Sequence, residues 1–395
     1  MLKRCGMDLH LQKIAVPFEY PVVFTTEVFA SANPSLVSVI SRNEPIRRHR
    51  LCVVIDRGVA SAWPALSADI QRYADVYRDR LDLAGAPIVI EGGEAAKNAP
   101  TLVARLHADL NARNMDRHAC VVAIGGGALL DMVGYAAAIT HRGLRLVRVP
   151  TTVLAQNDAG VSVKNGVNAF GKKNFFGTFS PPFAVLNDRR FLETLSPRDR
   201  VSGMAEAVKA ALIRDARFFD WMVDQAPLLE AGDPETVSFL IRRCAEIHLD
   251  HIAGSGDPFE FGCARPLDFG HWAAHKLESL TRYRLRHGEA VAIGVALDTL
   301  YSINAGFLER PAGENVLRLL HNLGLVLWDE ALAHSELLTG LAEFREHLGG
   351  ELTVTLLSAI GDGFEAHEID VDLMRASIAQ LHGRAFSATY APHRP

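Results

Sequence analysis

The sequence predicts an α/β half that contains a parallel sheet, followed by an all-α half. In the first half, short apolar runs rich in β-branched residues alternate with helix-like segments. Uninterrupted apolar strands are typical of a parallel sheet that helices cover on both faces. Beyond about residue 194, apolar residues recur at helical spacing in one segment after another. We therefore expect two domains, at 1–197 and 198–386 with the boundary at Pro197, and a disordered tail at 387–395.

The individual elements follow from these patterns in chain order. Strands are predicted at 51–56, 87–91, 119–124 and 144–149, and helices at 67–81, 100–114 and 127–140. In the second half, helices are predicted at 205–214, 218–229, 236–252, 271–280, 288–304 and 314–323, with a short β segment at 351–357. The stretch between the halves, 150–174, contains glycines and no long apolar run, which predicts loops.

The composition indicates a globular chain with no general attraction for polyanions. The 395 residues are 49% hydrophobic and 22% charged, with a formal net charge of −5, so we expect neither nucleic acid nor anionic membranes as partners. The five cysteines show no CxxC spacing, and Cys52 and Cys120 lie in apolar runs as free thiols, which favours a reducing compartment. Because no signal-peptide core and no run of about 18 apolar residues occurs, we expect a cytoplasmic protein.

A strand, three glycines and a helix form the first candidate site. Gly125, Gly126 and Gly127 let the backbone approach a phosphate closely, and the helix N-terminus offers free N–H groups and the positive end of the helix dipole. Asp56 ends an earlier strand and could accept hydrogen bonds from ribose hydroxyls. The alternatives are a tight turn that binds nothing and, for Asp56, a helix cap.

Acidic and imidazole side chains in the second half could hold a metal ion. Glu206 and Lys209 are three residues apart on one helical face, and His271 and His275 are four apart on another. A carboxylate with two imidazoles, drawn from these residues and His287, makes a reasonable zinc site with positions open to substrate. The alternative is that single histidines only pack or cap, and the absence of HExxH gives a zincin-type peptidase little support.

The predicted loops between the halves carry a third candidate site. Lys164 and Lys173, with neighbouring asparagines and Arg142, could form a phosphate pocket. The alternative is a solvated surface loop.

Several motifs occur together, in the order and spacing of a known family. They are GGGALLDMVGYAAAITHRG, VRVPTTVLAQNDAGVSVKNGVNAFGKKNFFG, SPRDRVSGMAEAVKAALI, DFGHWAAH and LRHGEAVAIG. Over about residues 56–304 they resemble 3-dehydroquinate synthase and related sugar phosphate cyclases. The resemblance implies a Rossmann-like NAD-binding domain and a helical metal-binding domain in a homodimer. It also implies transient oxidation of a sugar phosphate by NAD, β-elimination of phosphate and an intramolecular aldol closure, with Zn²⁺ or Co²⁺ as a Lewis acid.

The resemblance also implies a role for each matching position. The metal ligands would be Glu206, His271 and His287. NAD would contact Asp56, Glu94, Lys97, Gly126, Gly127, Asp131, Thr151, Thr152 and Thr194. The catalytic residues would be Lys209, Asp158, Lys164 and His275, the last of them near the phosphate. The substrate would also contact Lys173, Asn174, His248, Asp268 and Arg142, and Arg142 would reach the phosphate across the dimer interface.

Some positions depart from the enzyme that forms dehydroquinate. Its lysine falls at His248, an arginine at Ala264 beside Arg265, an asparagine at Asp268, and paired lysines around 345–346. Because a substrate carboxylate should pair with a cation, the lost arginine and the gained aspartate indicate an uncharged substituent. We expect a substrate such as sedoheptulose 7-phosphate and a valiolone-like product. The segment RPLDFGHWAAHKLE is most similar to cyclases of the EboD type.

Three alternatives stay open for the function. A 3-dehydroquinate synthase would act on 3-deoxy-arabino-heptulosonate 7-phosphate. An iron-dependent alcohol dehydrogenase of the glycerol dehydrogenase type would share the glycine turn and the metal site, but it would release NADH in stoichiometric amounts. A non-catalytic binding protein would keep the fold without metal or NAD.

Overall fold

The computed structural model describes residues 10–170, 172–255, 259, 266–347 and 350–385. Its strands are β1 (Val22–Thr25), β2 (His49–Asp56), β3 (Leu81–Leu83), β4 (Ile88–Ile90), β5 (Cys120–Gly125), β6 (Arg145–Pro150), β7 (Lys164–Ala169), β8 (Lys172–Phe179), β9 (Ala184–Asp188), β10 (Val354–Ala359) and β11 (Asp362–Ala366). Its helices are α1 (Ser35–Ser41), α2 (Arg57–Ala62), α3 (Leu66–Val76), α4 (Glu94–Asn98), α5 (Pro100–Ala112), α6 (Gly127–Ile139), α7 (Pro197–Ser202), α8 (Met204–Arg214), α9 (Ala216–Ala231), α10 (Pro234–Gly254), α11 (His271–Leu280), α12 (His287–Asn304), α13 (Arg310–Asn322), α14 (Thr339–His347) and α15 (Val371–Ala385). The tail at 387–395 lies outside the described residues, as do Ala264 and Arg265.

A parallel sheet organises the first half of the chain. Within the described residues its order is β1–β9–β6–β5–β2–β3, and β4 pairs with the last residues of β2. Alternate residues of a strand point to opposite faces. Cys52 and Val54 join a core with α5 and α6, whereas Val53 and Ile55 join a core with α1 and α3. Helices therefore cover both faces, which confirms the α/β prediction, and the carboxyl ends of the strands share one edge.

A separate core lies among the helices that follow α7. Helix α12 is apolar and buried on nearly all sides, as expected for a helix at the centre of a core. It packs closely on the turn before α11, where a Cβ on Gly294 would lie 2.0 Å from the carbonyl oxygen of Gly270. The hairpin β10–β11 joins this core. The mainly helical second half is confirmed, while the exact domain boundary at Pro197 stays a prediction.

The prediction of loops at 150–174 is wrong for most of that stretch. Ala155–Ala159 forms a π-helical turn, and β7 and β8 form an antiparallel hairpin. Polar side chains fill buried positions of the hairpin: Asn165 and Asn168 are buried and hydrogen-bonded. The apolar alternation on which strand prediction depends is therefore missing.

In the part of the chain that the structure describes, no helix has both the length and the apolar character needed to span a bilayer.

Candidate active site

The carboxyl edge of the parallel sheet brings Asp56 against the chain that follows β4. The Asp56 carboxylate accepts a hydrogen bond from the Gly58 backbone N–H at 2.7 Å, so it does cap α2. A Cβ on Gly92 would lie 1.8 Å from Asp56 Oδ2, so any larger residue there would displace the carboxylate. Burial raises the pKa of Asp56. Capping and ribose binding remain compatible, because a carboxylate can accept several hydrogen bonds.

The glycine turn lies beside this carboxylate. A Cβ on Gly125 would lie 3.1 Å from Asp56 Cβ, and a Cβ on Gly126 would lie 3.5 Å from Thr152 Cγ2. Helix α6 begins at Gly127, and no side chain caps its N-terminus within the described residues. Its first N–H groups therefore have the orphan character that suits a phosphate.

Two other predicted NAD contacts lie around the same edge. The Thr151 N–H donates to the carbonyl oxygen of Gly125 at 3.0 Å, which ties the ends of β5 and β6 together. Exposed Thr194 accepts a hydrogen bond from Trp63 Nε1 at 3.2 Å.

A polar network joins the remaining predicted NAD contacts to one predicted substrate contact. Lys97 Nζ lies 2.7 Å from Asp131 Oδ2 and also donates to Asn174 Oδ1. Asn168 links the network, because its amide donates to Glu94 at 2.6 Å and its oxygen accepts from the Asn174 N–H at 2.9 Å. The sequence did not single out Asn168. The structure thus connects the predicted cofactor contacts and the predicted substrate contact Asn174 through β7 and β8.

Glu206, His271 and His287 converge from α8, α11 and α12. Each offers one ligand atom, and these atoms all lie within 4.8 Å of one another. Glu206 Oε1 is 3.6 Å from His271 Nε2 and 3.4 Å from His287 Nε2. His275 is one turn along α11, with its ring centroid 5.5 Å from that of His271. The spacing argument left the choice among the histidines open, and the geometry groups His271 with His287.

The state of Glu206 shows that this group fits a divalent cation. Its side chain is 1% exposed. Neither carboxylate oxygen accepts a hydrogen bond of normal geometry from any described residue, although the Lys209 ammonium forms an ion pair with Oε2. A buried carboxylate is costly without strong partners, and one carboxylate with two imidazoles is a ligand set that zinc and cobalt accept.

Lys209 is surrounded by carboxylates. Burial disfavours its charged form, but Glu206, Asp158 and Asp268 raise the pKa of Lys209 above its usual value, so it remains an ammonium. Burial and the Glu206 charge act against ionisation of Asp158, but His248 and Lys209 outweigh them and lower the pKa of Asp158. The His248 Nδ1 atom is 2.7 Å from Asp158 Oδ1.

Glu278 is a site residue that the sequence reasoning missed. It lies on α11 seven residues after His271 and three after His275, hence on the same helical face. Its side chain is 3% exposed, and its two oxygens contact Lys173 Nζ at 2.6 Å and His287 Nδ1 at 3.2 Å. That spacing was the only sequence signal.

Burial lowers the pKa of His275 well below its usual value, so this imidazole is neutral.

Arg148 is a second residue that the sequence reasoning missed. It is fully buried on β6 and donates to the carbonyl oxygens of Gly160, Ser162 and Lys164 at 3.1, 2.6 and 2.9 Å. It also donates to Asn165 Oδ1 at 2.6 Å. The guanidinium thereby fixes the segment between Asp158 and β7.

Two other predicted positions have exposed side chains. Lys164 is exposed at the start of β7, and Arg142 is exposed after α6 with a positive φ of 64°. Among the described residues, Arg142 forms no hydrogen bond or ion pair with another predicted site residue. Near 345–346, Arg345 donates to the carbonyl oxygen of Gly350 at 2.7 Å, and Glu346 pairs with Lys172 at 2.5 Å.

Comparisons with family models account for most of the chain. Residues 87–202 match the model of the 3-dehydroquinate synthase N-terminal domain, and residues 203–344 match that of its C-terminal domain. The chain belongs to the 3-dehydroquinate synthase family. The match covers the glycine turn, the β7–β8 hairpin and all three converging metal-ligand candidates.

Relatives within this family have different products. A 3-dehydroquinate synthase of Halorhodospira halophila is 33% identical over 335 residues, which is 83% of this chain and 94% of the relative. A 2-epi-5-epi-valiolone synthase of Streptomyces glaucescens is 32% identical over 373 residues, 92% of this chain and 91% of the relative. The solved 2-epi-5-epi-valiolone synthase of Streptomyces hygroscopicus subsp. jinggangensis, with NAD⁺ and Zn²⁺ bound, is 28% identical. It covers 95% of this chain and 100% of its own, with a TM-score of 0.85.

Proposed function

We propose that this member of the family cyclises a seven-carbon sugar phosphate that lacks a carboxylate. A substrate such as sedoheptulose 7-phosphate would lose phosphate and close to a valiolone-like carbocycle. The cyclase class follows from the family, whereas the choice of substrate rests on the charges of the site.

The acidic surroundings of Lys209 carry the proposal. Glu206 would bind the metal, and Asp158 and Asp268 also act on this ammonium, so its charge is already balanced by the protein. A substrate carboxylate beside it would meet the like charges of Asp158 and Asp268, which is unfavourable in a buried site. Hydroxyl groups, in contrast, can donate to these carboxylates.

The cofactor and metal would be held by residues that suit them. Glu206, His271 and His287 would bind zinc or cobalt, and Asp56 with the uncapped N-terminus of α6 would bind the ribose and phosphates of NAD. When bound, NAD would supply reversible hydride transfer and the metal would supply Lewis acidity.

The side chains of the chain would supply the remaining chemistry. Lys209, held as an ammonium, would stabilise negative charge that develops on a substrate oxygen. Lys173 would contact the phosphate as a cation, and neutral His275 would donate a ring N–H to it. Asp158 holds His248 through Nδ1 at 2.7 Å. It would orient the opposite nitrogen, Nε2, towards the substrate hydroxyls.

Two observations on relatives bear on the substrate in opposite directions. A valiolone synthase aligns over 92% of the chain, and the valiolone synthase structure has a TM-score of 0.85. Several relatives at 33–35% identity are 3-dehydroquinate synthases, which supports dehydroquinate formation as the second candidate.

Product analysis separates the two candidates. Protein loaded with NAD and Zn²⁺ is incubated with sedoheptulose 7-phosphate or with 3-deoxy-arabino-heptulosonate 7-phosphate, and phosphate release and NMR spectra are followed. We expect a carbocyclic product from the first substrate, with no net change in NADH absorbance. Turnover of the carboxylated substrate alone would contradict the proposal, and stoichiometric NADH from glycerol would indicate an alcohol dehydrogenase.

A further inference from the structure

We propose that Glu278 is a positioning residue that holds the metal ligand His287 with one carboxylate oxygen and the phosphate-site lysine Lys173 with the other. The inference rests on the proposed function, because it takes the metal and phosphate sites as assigned above. It adds a structural coupling between them that neither the motifs nor the spacing indicated.

Three elements from both halves of the chain meet at this carboxylate. Glu278 lies on α11, His287 is the first residue of α12, and Lys173 lies on β8 of the hairpin. The side chain of Glu278 is 3% exposed, that of Lys173 20% and that of His287 27%. A carboxylate this deeply buried persists only with strong partners, and the Lys173 ammonium and the His287 imidazole are the partners that the described residues provide.

The contact with His287 sets which ring nitrogen is left for a metal. Nδ1 lies 3.2 Å from Glu278 Oε2, while Nε2 lies 3.4 Å from Glu206 Oε1 on the opposite side. When Nδ1 donates its proton to Glu278, the lone pair of Nε2 points at the ligand group. Carboxylates in this relation to a ligand histidine fix its tautomer and orientation, and their loss weakens metal binding about 10–100-fold.

The contact with Lys173 orients the β7–β8 hairpin. Lys173 Nζ is 2.6 Å from Glu278 Oε1 and lies 5.6 Å from the centre of the Tyr283 ring. The ion pair therefore fixes a long, flexible side chain beside neutral His275, where a phosphate would bind. Because one carboxylate serves both contacts, a shift of the hairpin would also disturb His287.

Two substitutions separate the two roles. In Glu278→Gln the amide oxygen can still accept the Nδ1 proton of His287, but the neutral side chain no longer pairs with Lys173. In Glu278→Ala both contacts are lost. The matched control is Glu343→Gln, which breaks an ion pair of 2.6 Å with Lys276 on the same α11 helix and touches neither site.

Zinc affinity tests the first role, by competition with a chromophoric chelator on the full chain. We expect Glu278→Ala to bind Zn²⁺ about 10–100-fold more weakly than wild type, Glu278→Gln to recover most of that loss, and Glu343→Gln to match wild type. The visible absorption bands of the Co²⁺-loaded protein should change in Glu278→Ala. Wild-type affinity and spectrum in both Glu278 variants would overturn the inference.

Lysine labelling with acetic anhydride, read by mass spectrometry, tests the second role. Lys173 should become several-fold more reactive in both Glu278 variants, whereas Glu343→Gln should expose Lys276 instead. Unchanged Lys173 reactivity in both variants would overturn this half. Should Glu278→Ala fail to fold, the isosteric glutamine variant still decides the labelling test. Failure of wild type to bind Zn²⁺ would instead refute the proposed function.

Discussion

The sheet edge and the metal group are built in opposite ways. The sheet edge depends on the backbone. Gly92 leaves room for the Asp56 carboxylate, the N-terminus of α6 has no side-chain cap, and the parallel strands all end at this edge. The metal group depends on side chains from three helices. Glu206 and His271 are buried, His287 is half-buried, and the Glu206 carboxylate forms an ion pair with the Lys209 ammonium. A site of the first kind should lose affinity when its backbone is crowded, and one of the second kind when a single charge is removed.

The largest expected effect is at the buried carboxylate of the metal group. Glu206→Gln removes the one anionic ligand candidate and leaves the Lys209 ammonium beside a neutral amide. We expect Zn²⁺ affinity to fall by more than about 100-fold and turnover to be abolished. This loss exceeds the one expected when a residue that only hydrogen-bonds to a metal ligand is removed. Metal content after dialysis and phosphate release measure this.

The control for that variant is Glu235→Gln, which removes an exposed partner of Arg189. Stoichiometric zinc in Glu206→Gln, equal to that of the control, would show that the group does not depend on its charge.

The next largest effect is expected on stability, at Arg148, which holds the segment between Asp158 and β7 in place. Arg148→Met leaves several buried carbonyl oxygens without donors, each costing about 1–3 kcal/mol. We expect the free energy of unfolding in urea to fall by about 3 kcal/mol or more. The control Arg189→Met, at an exposed ion pair, should change it by less than about 1 kcal/mol. Equal stability of the two variants would mean that Arg148 does not hold the segment.

A smaller effect is expected at the sheet edge. In Gly92→Ala the new Cβ would lie 1.8 Å from Asp56 Oδ2, so the Asp56 carboxylate must move. We expect NADH, followed by its fluorescence, to bind about tenfold more weakly, which is about 1.4 kcal/mol, while Zn²⁺ affinity stays unchanged. The control is Gly383→Ala, because a Cβ at that position would have no atom of the described residues within 4 Å, apart from its chain neighbours and its own helix backbone. Wild-type NADH affinity in Gly92→Ala would show that Asp56 does not contribute to NADH binding.

The smallest effect is expected at the periphery of the same edge. Thr194→Ala removes one exposed hydrogen bond with Trp63, worth about 0.5 kcal/mol at the low end of such contacts. We expect NADH affinity to fall two- to threefold at most. A loss as large as that of Gly92→Ala would make Thr194 a direct and central contact.

The sequence predicted the elements whose buried side chains are apolar. Helix α11 begins at 271 and ends at 280, as the pattern predicted. Strand β5 is formed by a continuous run of apolar residues. Strand β7 was not predicted because Asn165 and Asn168 fill two of its four buried positions. Apolar periodicity carries no information where hydrogen bonds replace packing.

Only some residues of the candidate site could likewise be predicted from the sequence. The resemblance supplied Glu206, His271 and His287, and the fold then brought their ligand atoms within 4.8 Å. Glu278 and Arg148 were not predicted. The partners of Glu278 come from two other elements, and Arg148 binds mainly backbone carbonyl oxygens, which leave no signature in a sequence.

Anomalous X-ray scattering at the zinc edge, from crystals of the protein grown with Zn²⁺, tests the central claim most directly. We expect one strong peak per chain, within bonding distance of Glu206, His271 Nε2 and His287 Nε2. A peak bound by His271 and His275 instead, or no peak among these side chains, would contradict the account.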